Sequence, residues 1–180
     1  MIPIVPDLSD GVVRLRVPDR KDVDAIHAAC QDPFIVRFTR VPFPYSRLHA
    51  QAFVRNAQHE LRAGSGVHLV AADAHTDDLL GVVGLVLDRP RRAGEVGYWV
   101  APEARGRHVA RQGVRLMVAW ALPELGLQRV QLMADQRNLA SQRVAEHCGF
   151  RREGVLRSYE DRLGERIDYV MFSVLPGELT

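Results

Sequence analysis

Apolar and polar positions along this chain recur with a period that switches between two and about 3.6 residues, and each switch marks a new element. Val12 to Val17, VVRLRV, alternates apolar and basic residues and predicts a half-buried strand. In the following PDRKDVDAIHAAC the period lengthens: Asp19 is placed to cap a helix whose inner face carries Val23, Ile26 and Cys30. That helix is expected to end near QDPF. A loop with Pro33, Pro42 and Pro44 then leads to Ser46, the cap of a second helix running through Leu48, Phe53 and Leu61 to RAGSG.

Three strands follow, VHLVAAD, LLGVVGLVLD and AGEVGYWV, separated by the turn signals AHTDD and RPRR, so an antiparallel meander is expected. Val109, Gly113, Leu116, Met117 and Trp120 then recur at helical spacing, which predicts a helix beginning near Arg107 with one face buried on the sheet. RVQLMA is a short strand. Asn138 caps a last helix with Val144, Ala145 and Cys148 turned inward, Gly149 as its left-handed stop and Phe150 behind it. GVLRSY and RIDYVMFSVL close the chain as strands. The order β-α-α-β-β-β-α-β-α-β-β is a mixed α/β layer without internal repeats or low-complexity segments.

Composition narrows the class. A length of 180 residues, 47% of them hydrophobic, suffices for one compact domain with its own core, and no shift in composition divides it. A formal net charge of +2 lacks the basic excess of a nonspecific nucleic-acid binder, so a nucleic-acid partner is not expected. Lys21 is the single lysine, and every other basic chain is arginine, which lowers the meaning of any one arginine. Cys30 and Cys148 have no close pair or neighbouring ligand cluster, arguing against a disulfide scaffold or a zinc site. The histidines, His27, His49, His59, His68, His75 and His147 among them, have no ligand-like spacing, so no metal is assigned. MIPIVPDLSDG has no signal-peptide pattern, and no apolar run reaches the roughly 18 residues of a membrane span, so a cytoplasmic protein with no membrane partner is expected.

The chemistry concentrates in EVGYWVAPEARGRHVARQG, Glu95 to Gly113, where a strand bends into a helix. Such a bend aims backbone N–H groups and the positive helix end at one point, an arrangement suited to a diphosphate, and Arg105 and Arg107 add charge. The same spacing also fits an ordinary turn with solvated arginines. It is neither a Walker loop nor a dinucleotide fingerprint, because the GK[ST] ending and the glycine triplet are both missing.

RGRHVA, Arg105 to Ala110, resembles the acyl-coenzyme A signature [QR]-x-x-G-x-[GA] of the GNAT superfamily of N-acetyltransferases, with His108 where the signature has glycine. AGEVGYWVAPEARG before it and NLASQRVAEHCGFRREGVLR after it resemble the RimJ/RimL type, which acetylates N-terminal amines of ribosomal proteins. The likeness in element order extends over nearly the whole chain. It implies a single GNAT domain over residues 1–180, with a mostly antiparallel seven-stranded sheet, about four helices and a V-shaped splay between the fourth and fifth strands. In that splay the resemblance places acetyl-CoA as co-substrate. Backbone groups of Trp99, Val100 and Ala101 would meet the pantetheine arm. Arg105, Gly106, Arg107, His108, Val109 and Ala110 would hold the diphosphate, and Asn138 and Ser141 would reach the arm. A homodimer is compatible with the likeness.

Acetyl transfer needs a neutral amine as nucleophile, and an N-terminal amine with a pKa near ~8 reaches that state far more easily than a lysine near ~10.4. A carboxylate acting directly or through a water assists. Alternation puts Glu95, Gly97 and Trp99 on one face of the strand and Val96, Tyr98 and Val100 on the other, leaving Glu95 the lone charge. Glu95 is the first base candidate, though a lone glutamate at a strand start is more often a solvated edge residue. Glu160 is the second by resemblance, with Tyr159 and Asp161 beside it, although SYEDRLGER also reads as an exposed hairpin connection. Many GNAT enzymes place a tyrosine seven residues after the asparagine. Here that position is Ala145, so the resemblance makes Ser141 the partner of the departing thiolate. Cys148 reads as core. The acceptor is a protein N-terminus or a small amine such as an antibiotic or polyamine. A non-catalytic acyl-CoA-binding domain is the remaining alternative.

Overall fold

The computed structural model describes residues 7–179, so the reading of the first six residues as free of a targeting pattern lies outside it. The strands are β1 (Leu8–Ser9), β2 (Val13–Arg16), β3 (Gly66–Asp73), β4 (Leu79–Asp88), β5 (Ala93–Val100), β6 (Arg129–Asp135), β7 (Arg151–Arg162) and β8 (Glu165–Val174). The helices are α1 (Val23–Ala29), α2 (Pro33–Phe38), α3 (Arg47–Ala63), α4 (Val109–Glu124) and α5 (Leu139–His147). All eight strands form one sheet in the order β1-β2-β3-β4-β5-β6-β8-β7.

The expected meander is present, β3 to β5 pairing antiparallel along their length. The β5–β6 pair is the exception: it is parallel and holds register only at Ala93/Arg129, Gly94/Val130 and Glu95/Gln131. Beyond Glu95 the two strands part, and β6 continues against β8 as far as Asp135. This is the splay expected between the fourth and fifth strands, shifted by one in number because the two-residue β1 precedes them.

Helices cover both faces. Gly113 lets α4 lie close on the sheet, since a Cβ there would come within 2.8 Å of Val83 Cγ2 and near Leu15 and Ala71. On the other face Phe53 of α3 packs with Val70, Val82 and Trp99. Between them runs a core that includes Leu69, Leu85, Met117, Leu132 and Phe172, each at most 1% exposed. Burying such side chains is worth roughly 1.5–3 kcal/mol apiece, which is why the period-two and period-3.6 patterns locate the layers.

Several expectations need correction. Pro33 begins a helix instead of a loop: Asp32 caps α2 by accepting from the Ile35 amide at 3.0 Å, and proline at the first helical position loses no hydrogen bond. The described residues form eight strands and five helices, in line with the seven and about four expected, the short β1 and α2 making up the difference. Asp19 caps a single 3-10 turn, Arg20–Asp22, that feeds α1. α4 begins at Val109, two residues later than expected. Tyr159 to Arg162 belong to β7, and the hairpin turn is confined to Leu163 and Gly164. The Ser46 and Asn138 caps, Gly149 at φ 81 and the buried Phe150 stand as read.

Candidate active site

A cavity of about 1050 Å³ occupies the splay and runs from the α4 and α5 N-termini to the point where β5 and β6 meet. Its middle wall is the exposed edge of β5. The Ala101 amide donates to the Leu80 carbonyl at 2.9 Å. By the alternation of an antiparallel ladder, Trp99 shares that β4-facing phase, while the N–H and C=O groups of Val96, Tyr98 and Val100 face the cleft. Of the three positions expected to meet a pantetheine arm, Val100 therefore presents its backbone there. Trp99 and Ala101 are engaged with β4.

The bend at residues 105–110 is more strained than a regular helix entry. Gly106 has φ 77 and His108, the N-cap of α4, has φ 60, so two left-handed residues flank Arg107. The glycine of the signature thus falls where the backbone itself favours glycine. Histidine is among the residue types that more often accept this region. The His108 side chain is exposed and makes no capping bond. The first helical bond runs from the Gln112 amide to the His108 carbonyl at 3.0 Å, leaving the amides of Val109, Ala110 and Arg111 without an acceptor inside the helix. The guanidiniums are already engaged: Arg105 pairs with Asp32 and lies 5.0 Å from the centre of the Phe34 ring, and Arg107 pairs with Asp73 at 3.2 Å. The bend offers mainly backbone donors and a helix dipole, its arginine charges being shared with carboxylates.

Across the cleft, Asn138 Oδ1 accepts from the Ser141 amide at 3.1 Å, the cap expected of it. Ser141 Oγ accepts in turn from the Tyr98 phenol at 3.0 Å, a contact between α5 and β5 over the mouth of the splay. Cys148 is fully buried, its thiol pushed up to about 11 by burial, which fits a core residue.

At the opposite end Arg40, in the loop after α2, spans both base candidates. It donates to Glu95 Oε1 at 3.3 Å and to the Glu160 carboxylate at 3.0 and 3.3 Å. Glu95 also accepts from Gln131 of β6 at 3.0 Å, at the last paired position before the strands part. Glu160 gets there through a bulge. Leu156 pairs with Tyr169 and Glu160 with Ile167, so β7 spends four steps where β8 spends two, with Ser158 at φ 52. Burial pushes the Glu160 carboxyl upward, but Arg40 and Tyr169 hold it below its ordinary value on balance. Tyr159 is exposed, and Asp161 pairs with Arg166.

Sequence reading missed Arg40, Gln131, Tyr98 and Tyr169, all lining this cavity except Gln131. Arg40 is one arginine among many, and the others become visible only once the strands are in register. Among the described residues no three His, Cys, Asp or Glu side chains group as a metal centre, and no helix is long and apolar enough to cross a membrane.

An open mixed sheet, a parallel pair that splays and a strand-to-helix bend at its mouth define a class, and comparison with known proteins gives it a name. Residues 13–151 match the acetyltransferase (GNAT) domain family, to which the chain belongs. It is therefore an N-acetyltransferase that uses acetyl-CoA as co-substrate. The chain is 26% identical over 176 residues to the uncharacterized N-acetyltransferase YoaA of Bacillus subtilis, covering 97% of this chain and 98% of that one. Among solved structures it resembles RimL, a ribosomal alpha-N-protein acetyltransferase bound to coenzyme A (TM-score 0.84, 19% identity, 93% and 96% of the two chains). It equally resembles the microcin self-immunity acetyltransferase MccE in complex with acetyl-CoA and AMP (TM-score 0.85, 18% identity, 96% and 98%). The RimL neighbour is consistent with the RimJ/RimL likeness read from the sequence. At such identities they show the fold and leave the acceptor open.

Proposed function

We propose that this protein transfers the acetyl group of acetyl-CoA directly, within a ternary complex, to the N-terminal amine of a protein or peptide. The observation that carries the acceptor half is the Arg40 guanidinium held by Glu95 and Glu160 where β5 and β6 part. A cation already sits there between two carboxylates, and an acceptor ammonium displacing it would find the same partners.

The donor half rests on fit. The free amides of Val109, Ala110 and Arg111 and the left-handed Gly106 suit a diphosphate, with His108 lending its backbone. The cleft-facing groups of Val100 suit the amides of a pantetheine arm, and Asn138 and Ser141 border its far end. In this reading Arg105 tethers the bend to α2 through Asp32 as well as adding charge.

Glu95 lines the cavity and is the preferred base, taking the ammonium proton directly or through a water; Glu160 reaches the cavity through Arg40 and is the alternative. An amine with a pKa near ~8 requires little help from such a base, which favours an N-terminus over a lysine side chain. The neutral amine then attacks the thioester carbonyl and forms the C–N bond, the C–S bond breaks, and the thiolate leaves beside the Ser141 hydroxyl, the proton that nitrogen sheds in becoming an amide passing to the thiolate or to solvent. A small amine is the second reading, supported by the volume of the cavity and by the microcin immunity neighbour. Mass spectrometry after incubation with acetyl-CoA, a peptide panel bearing free or blocked N-termini, and aminoglycoside and polyamine acceptors tests the choice. Acetylation of free N-termini is expected; acetylation of the small amines alone would replace the proposal with the second reading.

A further inference from the structure

We propose that Tyr98 is a positioning residue that fixes the Ser141 hydroxyl as a donor to the departing thiolate. The inference rests on the acetyl-transfer reading above but concerns contacts that reading does not use. A serine hydroxyl has one proton and two lone pairs, and its proton swings freely unless something orders it. Here the Tyr98 phenol donates to Ser141 Oγ at 3.0 Å, filling one acceptor site. The serine's own proton must then find another acceptor, and both side chains line the cavity in the splay. The Ser141 backbone is fixed independently, its amide donating to Asn138 Oδ1 at 3.1 Å. One strand and one helix cap together orient a single O–H bond.

The chemistry needs this help. A serine hydroxyl is too weak an acid to protonate a thiolate outright, so its contribution is a charge-assisted hydrogen bond, which is about twice as strong as a neutral one. No proton transfer from Tyr98 is required. Burial pushes its phenol well above the ordinary value, opposed only in part by the Ser141 contact, so it stays a donor throughout the working pH range. The titratable neighbour on α5, Cys148, has its thiol raised to about 11 and its Sγ directed to the Arg111 carbonyl at 3.6 Å, with Arg111 and Arg115 of α4 near it. Neither Tyr98 nor Cys148 changes charge near neutrality. A tyrosine from β5 therefore supports the hydroxyl on α5, where Ala145 is buried and has none to offer.

Tyr98→Phe keeps the ring and removes the donor. It is expected to lower kcat about tenfold, the value of one ordered hydrogen bond to a charged group, while the KM for acetyl-CoA stays within about twofold. In a Ser141→Ala background the same change is expected to add nothing, because Tyr98 acts through Ser141. A second readout is independent of turnover: the thiolate absorbance of bound coenzyme A, titrated against bound dethio-coenzyme A as blank. At a pH well below the titration midpoint, wild type should hold about tenfold more thiolate than Tyr98→Phe, with Ser141→Ala matching the latter. Multiplying kcat losses, or identical thiol titrations in wild type and Tyr98→Phe, would overturn the proposal. Should coenzyme A bind without turnover on any amine, the acetyl-transfer reading falls, and the thiol titration still decides the role of Tyr98.

Discussion

Replacing His108 by glycine and by alanine separates backbone strain from side-chain chemistry at the acyl-CoA bend. His108 has φ 60 and ψ 12. For a residue with a Cβ, the left-handed region costs roughly 1–2 kcal/mol, and glycine carries no such penalty. Glycine in turn loses more unfolded-state entropy, about 0.5–1 kcal/mol, so His108→Gly is expected to lie between neutral and about 1 kcal/mol more stable. Alanine keeps the Cβ penalty and should fall about 1 kcal/mol below glycine. In a domain of this size that difference is about 2–4 °C in Tm. Coenzyme A affinity, measured by calorimetry, should be equal or tighter in His108→Gly, because the amides remain and the approach is less crowded. Equal melting temperatures for the two variants would refute the strain argument. A tenfold or greater loss of affinity in His108→Gly would show that the imidazole is itself a phosphate ligand.

Other outcomes follow from the same geometry. Glu95→Gln should lower kcat/KM about a hundredfold or more across pH 6 to 9 in an initial-rate assay, whereas unchanged rates would remove Glu95 as the base. Arg40→Ala takes away a cation that holds Glu160 below its ordinary value, so an acid limb of the pH–rate profile set by Glu160 should move to higher pH; a limb that stays in place would mean that Glu160 does not control it. Gly113→Ala gains about 1 kcal/mol of helix propensity but drives a Cβ to 2.8 Å from the stiff, buried Val83 side chain, so a net loss of about 1 kcal/mol is expected in urea unfolding; a stabilised variant would contradict the packing. Glu153 is held at about 2 by Arg129 and Ser173, against an ordinary 4.5. Its contribution is complete above the unfolded value and is lost as pH falls toward about 2. With its side chain 41% exposed the size is about 1 kcal/mol at most, and Glu153→Gln should flatten the acid arm of the stability curve by that much.

Hydrophobic period placed the layers and the order of elements because burial on two faces leaves a local imprint on sequence. Pro33 escaped because the same residue breaks a helix from within and begins one at its first turn, and only the Asp32 cap decides between them. The two residues of β1 are too short for any period. At the site, the bend from Arg105 to Ala110, Asn138, Ser141 and Glu95 were each legible by local pattern or by family likeness. The geometry that relates them was not. Glu160 faces Arg40 only because β7 bulges at Ser158, a non-glycine residue with positive φ that nothing in SYEDRLGER signals. Arg40 and Glu160 are 120 positions apart, and Tyr98 and Ser141 are 43 apart, so both contacts depend on how the loop after α2 and helix α5 meet the sheet. The signature histidine changed meaning as well: the glycine it replaces serves the backbone angle as much as the room for a phosphate.

Free thiol released from acetyl-CoA in the presence of a peptide with an unblocked N-terminus, followed continuously with purified protein, tests the central claim most directly. The account predicts release that saturates in both substrates and disappears when the peptide N-terminus is blocked. Coenzyme A binding with no thiol release on the peptide or on any other amine would contradict it.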